Sequence, residues 1–214
     1  MEWQPRGLPP RTATWLLVTA GDAAAADAAL QAGAGLLDVG PAGPAAIGEI
    51  LNRHPGVPLY RSWPPADLAG NAMPAQPPGA RLICADVPAA TAALDAGVPR
   101  AAILVATEPP GVAAALAAGW DVVADVDPPR PEAADTLPGQ AAAATQITPR
   151  QQNAAAPPGE ADEVSGAVAA AAVCAWLGVA AVRTRHIREV RRALDMTASI
   201  RGLRPPAWAV RGLA

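Results

Sequence analysis

The 214-residue chain has no lysine and no phenylalanine, and its sixteen basic residues are all arginine. Without lysine there is no side-chain amine for a Schiff base, no Walker-type phosphate-loop lysine and no lysine acid or base. Aromatic residues make up 3% of the chain, so the six Trp must supply much of the large-volume packing. His54 and His186 are the only histidines, too few for a histidine-built zinc site. Cys84 and Cys174 fall in no metal or disulfide spacing and read as buried, reduced thiols of a cytoplasmic protein. A net charge of −3 argues against a nucleic-acid or membrane binder, although a local basic cluster can still hold a small anion.

Long apolar runs are also scarce. "TWLLVTA" is short and is soon followed by Asp22, so it reads as a first strand rather than a secretory segment. "GAVAAAAVCAWLGVAAV" (166–182) approaches bilayer length. Its alanines and glycines give little insertion energy, however, and Gly178 divides it into a buried helix and a buried strand. No GxGxxG follows the first strand, which counts against dinucleotide binding.

What the chain does have is a recurring unit: a short apolar run, an Ala/Leu-rich helical stretch, then Gly. Strands are expected at 13–19, 35–40, 57–63, 80–87, 101–107, 120–127 and 179–184, with a weak one at 141–148. Helices are expected between most of them, the first opened by Asp22 and stopped by Gly33. About eight β/α units in order imply a parallel sheet closed as a shortened (β/α)8 barrel, with an open parallel α/β sheet as the alternative. The expected organisation is an extension at 1–12, one domain at 13–203 and a tail at 204–214.

Barrels of this type build their sites at the C-terminal ends of the strands. The polar groups expected there are Thr19, Asp22, Asp38, Arg61, Ser62, Asp86, Thr107, Glu108, Asp125, Asp127, Gln146, Thr148, Arg183 and Arg185. Carboxylates in such a mouth accept hydrogen bonds from a heterocycle, and arginines hold phosphate groups bidentately. An Asp directly after a strand also serves simply as a helix N-cap. In "VRTRHIREVRRALDM", Arg183 and Arg185 follow an apolar strand and are the anion candidates, with His186 beside them. Arg188, Arg191 and Arg192 read as a solvated helix face.

The stretch "AVAAAAVCAWLGVAAVRTRHIREVRRALDMTASIRG" resembles the end of the dihydropteroate synthases, which carry a pattern like "A..A...GA.IVRVHDV..T..AL.M..AI". "AALQAGAGLLDVGPAGP" is similar to the family's "A..GADIIDVGGESTRPG". Shorter likenesses are "LLVT" to "LNVTPDSF", "CADV" to "INDV" and "VDPP" to "DPG". The likeness runs in order over most of the chain and is specific near 28–44 and 166–202.

That resemblance implies a (β/α)8 barrel, usually a homodimer, that joins a pterin diphosphate to p-aminobenzoate with Mg²⁺. By resemblance Asp86 and Asp127 match the aspartates that hold the pterin, Asp38 the second-strand aspartate, and Arg183 the arginine of an Arg-x-His anion site. The departures are large. The family's first-strand Asn, which serves the metal, is Leu17, and the Asn before Asp86 is Ala85. The "STRPG" loop is reduced to "PAGP", the lysine of "SRK" is absent, and the His of Arg-x-His is Arg185. The sequence therefore reads as a degenerate relative without synthase activity, keeping a residual pterin or phosphate mouth and no certain cofactor. Two alternatives stay open: an active enzyme with a rearranged site, and a non-catalytic partner forming a homodimer or heterodimer through its late helices.

Overall fold

The computed structural model describes residues 14–40, 42–63, 81–127 and 160–203. In chain order its elements are β1 (Trp15–Thr19), α1 (Ala23–Ala32), β2 (Leu36–Asp38), α2 (Pro44–Arg53), β3 (Leu59–Trp63), β4 (Arg81–Cys84), α3 (Val87–Asp95), a 3-10 turn (Arg100–Ala102), β5 (Ile103–Thr107), α4 (Pro109–Ala117), β6 (Val122–Asp125), α5 (Glu160–Leu177), β7 (Ala181–Arg183) and α6 (Ile187–Ile200). All strand pairs are parallel, and the order β1-β2-β3-β4-β5-β6-β7 closes on itself when β7 pairs with β1.

Closure decides between the two architectures read from the sequence: this is a barrel, not an open sheet. The ring of described strands has seven members rather than eight. β6 pairs directly with β7, Val123 opposite Ala181 and Asp125 opposite Arg183. The strand expected at 141–148 falls outside the described residues, as do Gln146, Thr148, the extension at 1–12 and the tail from 204.

Two cores follow from the pleat, which sends alternate residues to opposite faces. Outward residues such as Leu16, Val18, Leu37, Leu82, Cys84, Val105 and Val182 meet the helices. Inward residues Leu17, Leu36, Tyr60, Ile83, Leu104, Val123 and Ala181, one from each strand, fill the barrel. Strands covered on both faces read as continuous apolar runs, which is why "WLLV" and "ILVA" carry no alternation. Alanine-rich helices keep the outer layer thin, and large side chains are concentrated at a few contacts. Gly35 is one of these: a Cβ there would stand 2.4 Å from a ring carbon of Trp15.

The helix ends match their sequence signals. Asp22 accepts from the Ala25 N–H (2.8 Å) and Asp86 from the Ala89 N–H (2.7 Å), each capping the helix that follows it. Gly33 ends α1 in the left-handed region at φ 107°. Helix α6 turns Ile187, Val190, Leu194 and Ala198 inward. Among the described residues no helix is long and apolar enough to cross a membrane.

Candidate functional site at the barrel mouth

The inward parity that gives Leu36, Tyr60, Val123 and Ala181 places Asp38, Ser62, Asp125 and Arg183 one step higher, at the C-terminal ends of β2, β3, β6 and β7. These four side chains form one network. Nε and Nη2 of Arg183 donate to the two oxygens of Asp125, the second at 2.7 Å, in a fork-to-fork pair. Nη1 turns the other way and donates to Ser62 Oγ (3.0 Å) and Asp38 Oδ2 (3.3 Å).

Asp38 is only 2% exposed and is further held by donors from the Gly40 N–H (2.9 Å), the Ser62 N–H (3.0 Å) and the Ser62 hydroxyl. Burial pulls the Arg183 pKa down, but the hydrogen bonds and charges of Asp125, then those of Asp38, outweigh it and raise the guanidinium above its ordinary value. Every guanidinium nitrogen of Arg183 is thus already engaged by the protein itself.

The loop after β7 is fastened by a second set. The Thr184 hydroxyl donates to Asp127 Oδ1 (2.6 Å), and the Arg185 backbone N–H donates to Asp127 Oδ2 (2.6 Å). The His186 N–H donates back to Thr184 Oγ1 (3.0 Å). The Arg185 guanidinium pairs with Glu163 of α5. His186 Nε2 is buried without a hydrogen-bond partner among the described residues.

The candidates from sequence therefore divide. Asp38 and Arg183 come together, Asp127 and Arg185 meet through a backbone bond, and both guanidinium groups are paired with carboxylates. Asp22 and Asp86 cap helices. Thr19 is exposed at the end of β1. Asp125 and Ser62 stand at the centre of the mouth, although the family likeness favoured Asp86 and Asp127. Their signal was strand parity, which puts 38, 62, 125 and 183 on the inward face. Glu163 was not anticipated, because an acid on a helix reads as solvated surface.

Beside the network lies a cleft of about 270 Å³ whose lining includes Glu108, Asp125, Asp127, Asp162 and Glu163. Of these five carboxylates Asp125 and Glu163 are paired with Arg183 and Arg185, so the cleft brings no unpaired arginine of that pair to a diphosphate. The position matched to the family's metal-serving Asn offers the implied Mg²⁺ no ligand. Leu17 is wholly buried in the barrel interior, and among the described residues no group of three or more His, Cys, Asp or Glu is arranged to hold a metal. Cys84 lies outside the mouth in the helix-facing core, where burial first and Asp86 second push its thiol up to about 11.

The chain is thus a closed parallel β/α barrel whose polar side chains gather at the C-terminal strand ends, with the mouth tied to itself. No family model matches the chain. Over 53 residues it is 45% identical to "Inactive dihydropteroate synthase 2" of Mycobacterium leprae, a match spanning 25% of this chain and 18% of that protein. The same-named protein of Mycobacterium tuberculosis is 43% identical over 53 residues, 17% of its length. Among solved structures, Mycobacterium tuberculosis Rv1207 has a TM-score of 0.56 at 22% identity, covering 92% of this chain and 96% of that one. The Yersinia pestis dihydropteroate synthase bound to a pterine-sulfa conjugate gives 0.58 at 13% identity, covering 94% and 100%. The chain has the dihydropteroate synthase fold, and a 53-residue stretch of it is similar in sequence to the mycobacterial proteins, of whose length the match spans less than a fifth.

Proposed function

We propose that this protein is a degenerate dihydropteroate-synthase-like barrel without synthase activity. The observation that carries the reading is the self-pairing of the mouth: Arg183 is spent on Asp125 and Asp38, and Arg185 on Glu163. A diphosphate would have to break these pairs and enter an acidic cleft, with no metal-binding side chain at Leu17 and no lysine to help it. Phosphate capture by Arg183 and Arg185 is correspondingly weak. The inactive name of the mycobacterial relatives agrees with this reading. Purified protein given the pterin diphosphate, p-aminobenzoate and Mg²⁺ should form no dihydropteroate, and the gene should not rescue a folate-synthesis-deficient strain. Turnover above a no-enzyme control overturns the proposal. The two buried free thiols, Cys84 and Cys174, support a cytoplasmic setting.

A second reading concerns what such a barrel does instead. Val173, Trp176 and Leu177 of α5 and Met196 and Ile200 of α6 are 48–66% exposed on two helices packed side by side. A cluster of large apolar side chains on neighbouring helices supports a role as a dimerising partner, with a second copy of this chain as the occupant. Sedimentation should give a dimer that Trp176→Glu converts to monomer. A wild-type monomer at all concentrations rejects this role and leaves the inactivity of the mouth untouched.

A further inference from the structure

The self-pairing that makes the mouth inactive, on which this step rests, has a specific shape. We propose that Asp125, Asp38 and Ser62 form a receptor for a guanidinium or amidinium cation, and that Arg183 is its built-in occupant. The Asp125 carboxylate takes two parallel N–H bonds from one edge of the guanidinium, the arrangement any N–C–N donor edge makes with a carboxylate. Ser62 Oγ and Asp38 Oδ2 take the remaining nitrogen from the opposite side.

The Asp38 half of the receptor does not depend on Arg183 for its shape. Three donors from Gly40 and Ser62 fix Asp38. Strand pairing on both sides of β6 fixes the backbone of Asp125, and its carboxylate turns to meet the guanidinium fork. Gly40 is constrained as well: a Cβ there would stand 3.2 Å from Asp38 Oδ1 and 3.4 Å from Ser62, so a larger residue would crowd the carboxylate. Removing the Arg183 side chain leaves two carboxylates and a hydroxyl around a space that had held a planar cation, with Asp125 able to take the same two parallel bonds from an added one. Two anions facing one site select a planar cation over a neutral heterocycle. They select a forked cation over an ammonium of equal charge, because only the fork satisfies both oxygens of Asp125.

The test compares the full-length wild type with Arg183→Ala, using methylguanidinium as probe and methylammonium as the equal-charge control. With folding verified by circular dichroism, methylguanidinium should raise the Arg183→Ala melting temperature saturably, methylammonium much less, and neither should do so in the wild type. A folded variant with no saturable response, or an equal response in the wild type, overturns the proposal. Should Arg183→Ala fail to fold, the double variant Asp38→Asn/Arg183→Ala relieves the uncompensated charge at position 38 while keeping the Asp125 clasp. It should respond in the same direction, and a flat response in the folded double variant overturns the proposal. If neither folds, wild-type NMR decides. One arginine Nε–H, lost in Arg183→Lys, should be protected from solvent exchange, and its absence rejects the built-in occupant. Synthase turnover by the wild type would sink the inactive reading without touching these outcomes, so the two fail separately.

Discussion

The barrel interior is filled at two levels by different means. At the lower level Leu17, Leu36, Tyr60, Ile83, Leu104, Val123 and Ala181 pack together. At the level above, on four of the same strands, Asp38, Ser62, Asp125 and Arg183 hold one another by charge and hydrogen bonds. An apolar layer degrades gradually, because each lost methylene removes only its own contacts. An ionic layer does not, because deleting one member strands the others without a partner. The upper level is therefore the more fragile half of the barrel, although it touches fewer residues.

The largest effect should come from breaking the ionic level at one point. Arg183→Ala leaves Asp38 buried and uncompensated and should cost about 3–5 kcal/mol in urea unfolding. If it costs less than the loss of a single core leucine, the contrast between the levels is lost. Leu17→Asn, which returns an amide to the first strand, should cost about 3 kcal/mol, since it removes an apolar side chain and buries an unpaired amide. It should restore no synthase activity.

A pH titration examines the outer core. The Cys84 thiol is raised to about 11 by burial, so the folded state favours its neutral form. Its contribution is complete below the ordinary thiol value and is lost as the pH climbs toward 11, about 3 kcal/mol in all. Cys84→Ser should remove that alkaline decline. Asp86→Ala tests whether that residue is a cap: a loss of about 1 kcal/mol is expected for a missing N-cap. Arg185→Ala should be smallest, under about 1 kcal/mol, because its partner Glu163 is 43% exposed.

The order of the elements was legible because apolar runs and Gly stops are local signals. The run "VAAVRT" became β7, and "DAAAADAALQAG" became a capped helix ended by Gly33. The double role of Asp after a strand was legible too, and it resolved as capping for Asp22 and Asp86. Pairing was not legible. Arg183 meets Asp125 across 58 residues and Asp38 across 145, distances over which no periodicity carries information. How the ring closes was not legible for a related reason: the contact between β6 and β7 spans more than fifty residues of chain, and among the described strands they meet directly.

A chain that writes every cation as arginine gives up a means of adjustment. A buried lysine shifts its pKa readily and can become a neutral amine near neutral pH, the route by which lysines turn into bases and nucleophiles. A guanidinium keeps its proton under the same burial, and at Arg183 its neighbours hold that proton still more firmly. New acid–base chemistry in this mouth would therefore have to begin at its carboxylates or at the ring nitrogen of His186 that has no partner among the described residues, because the positive charge at its centre is permanent.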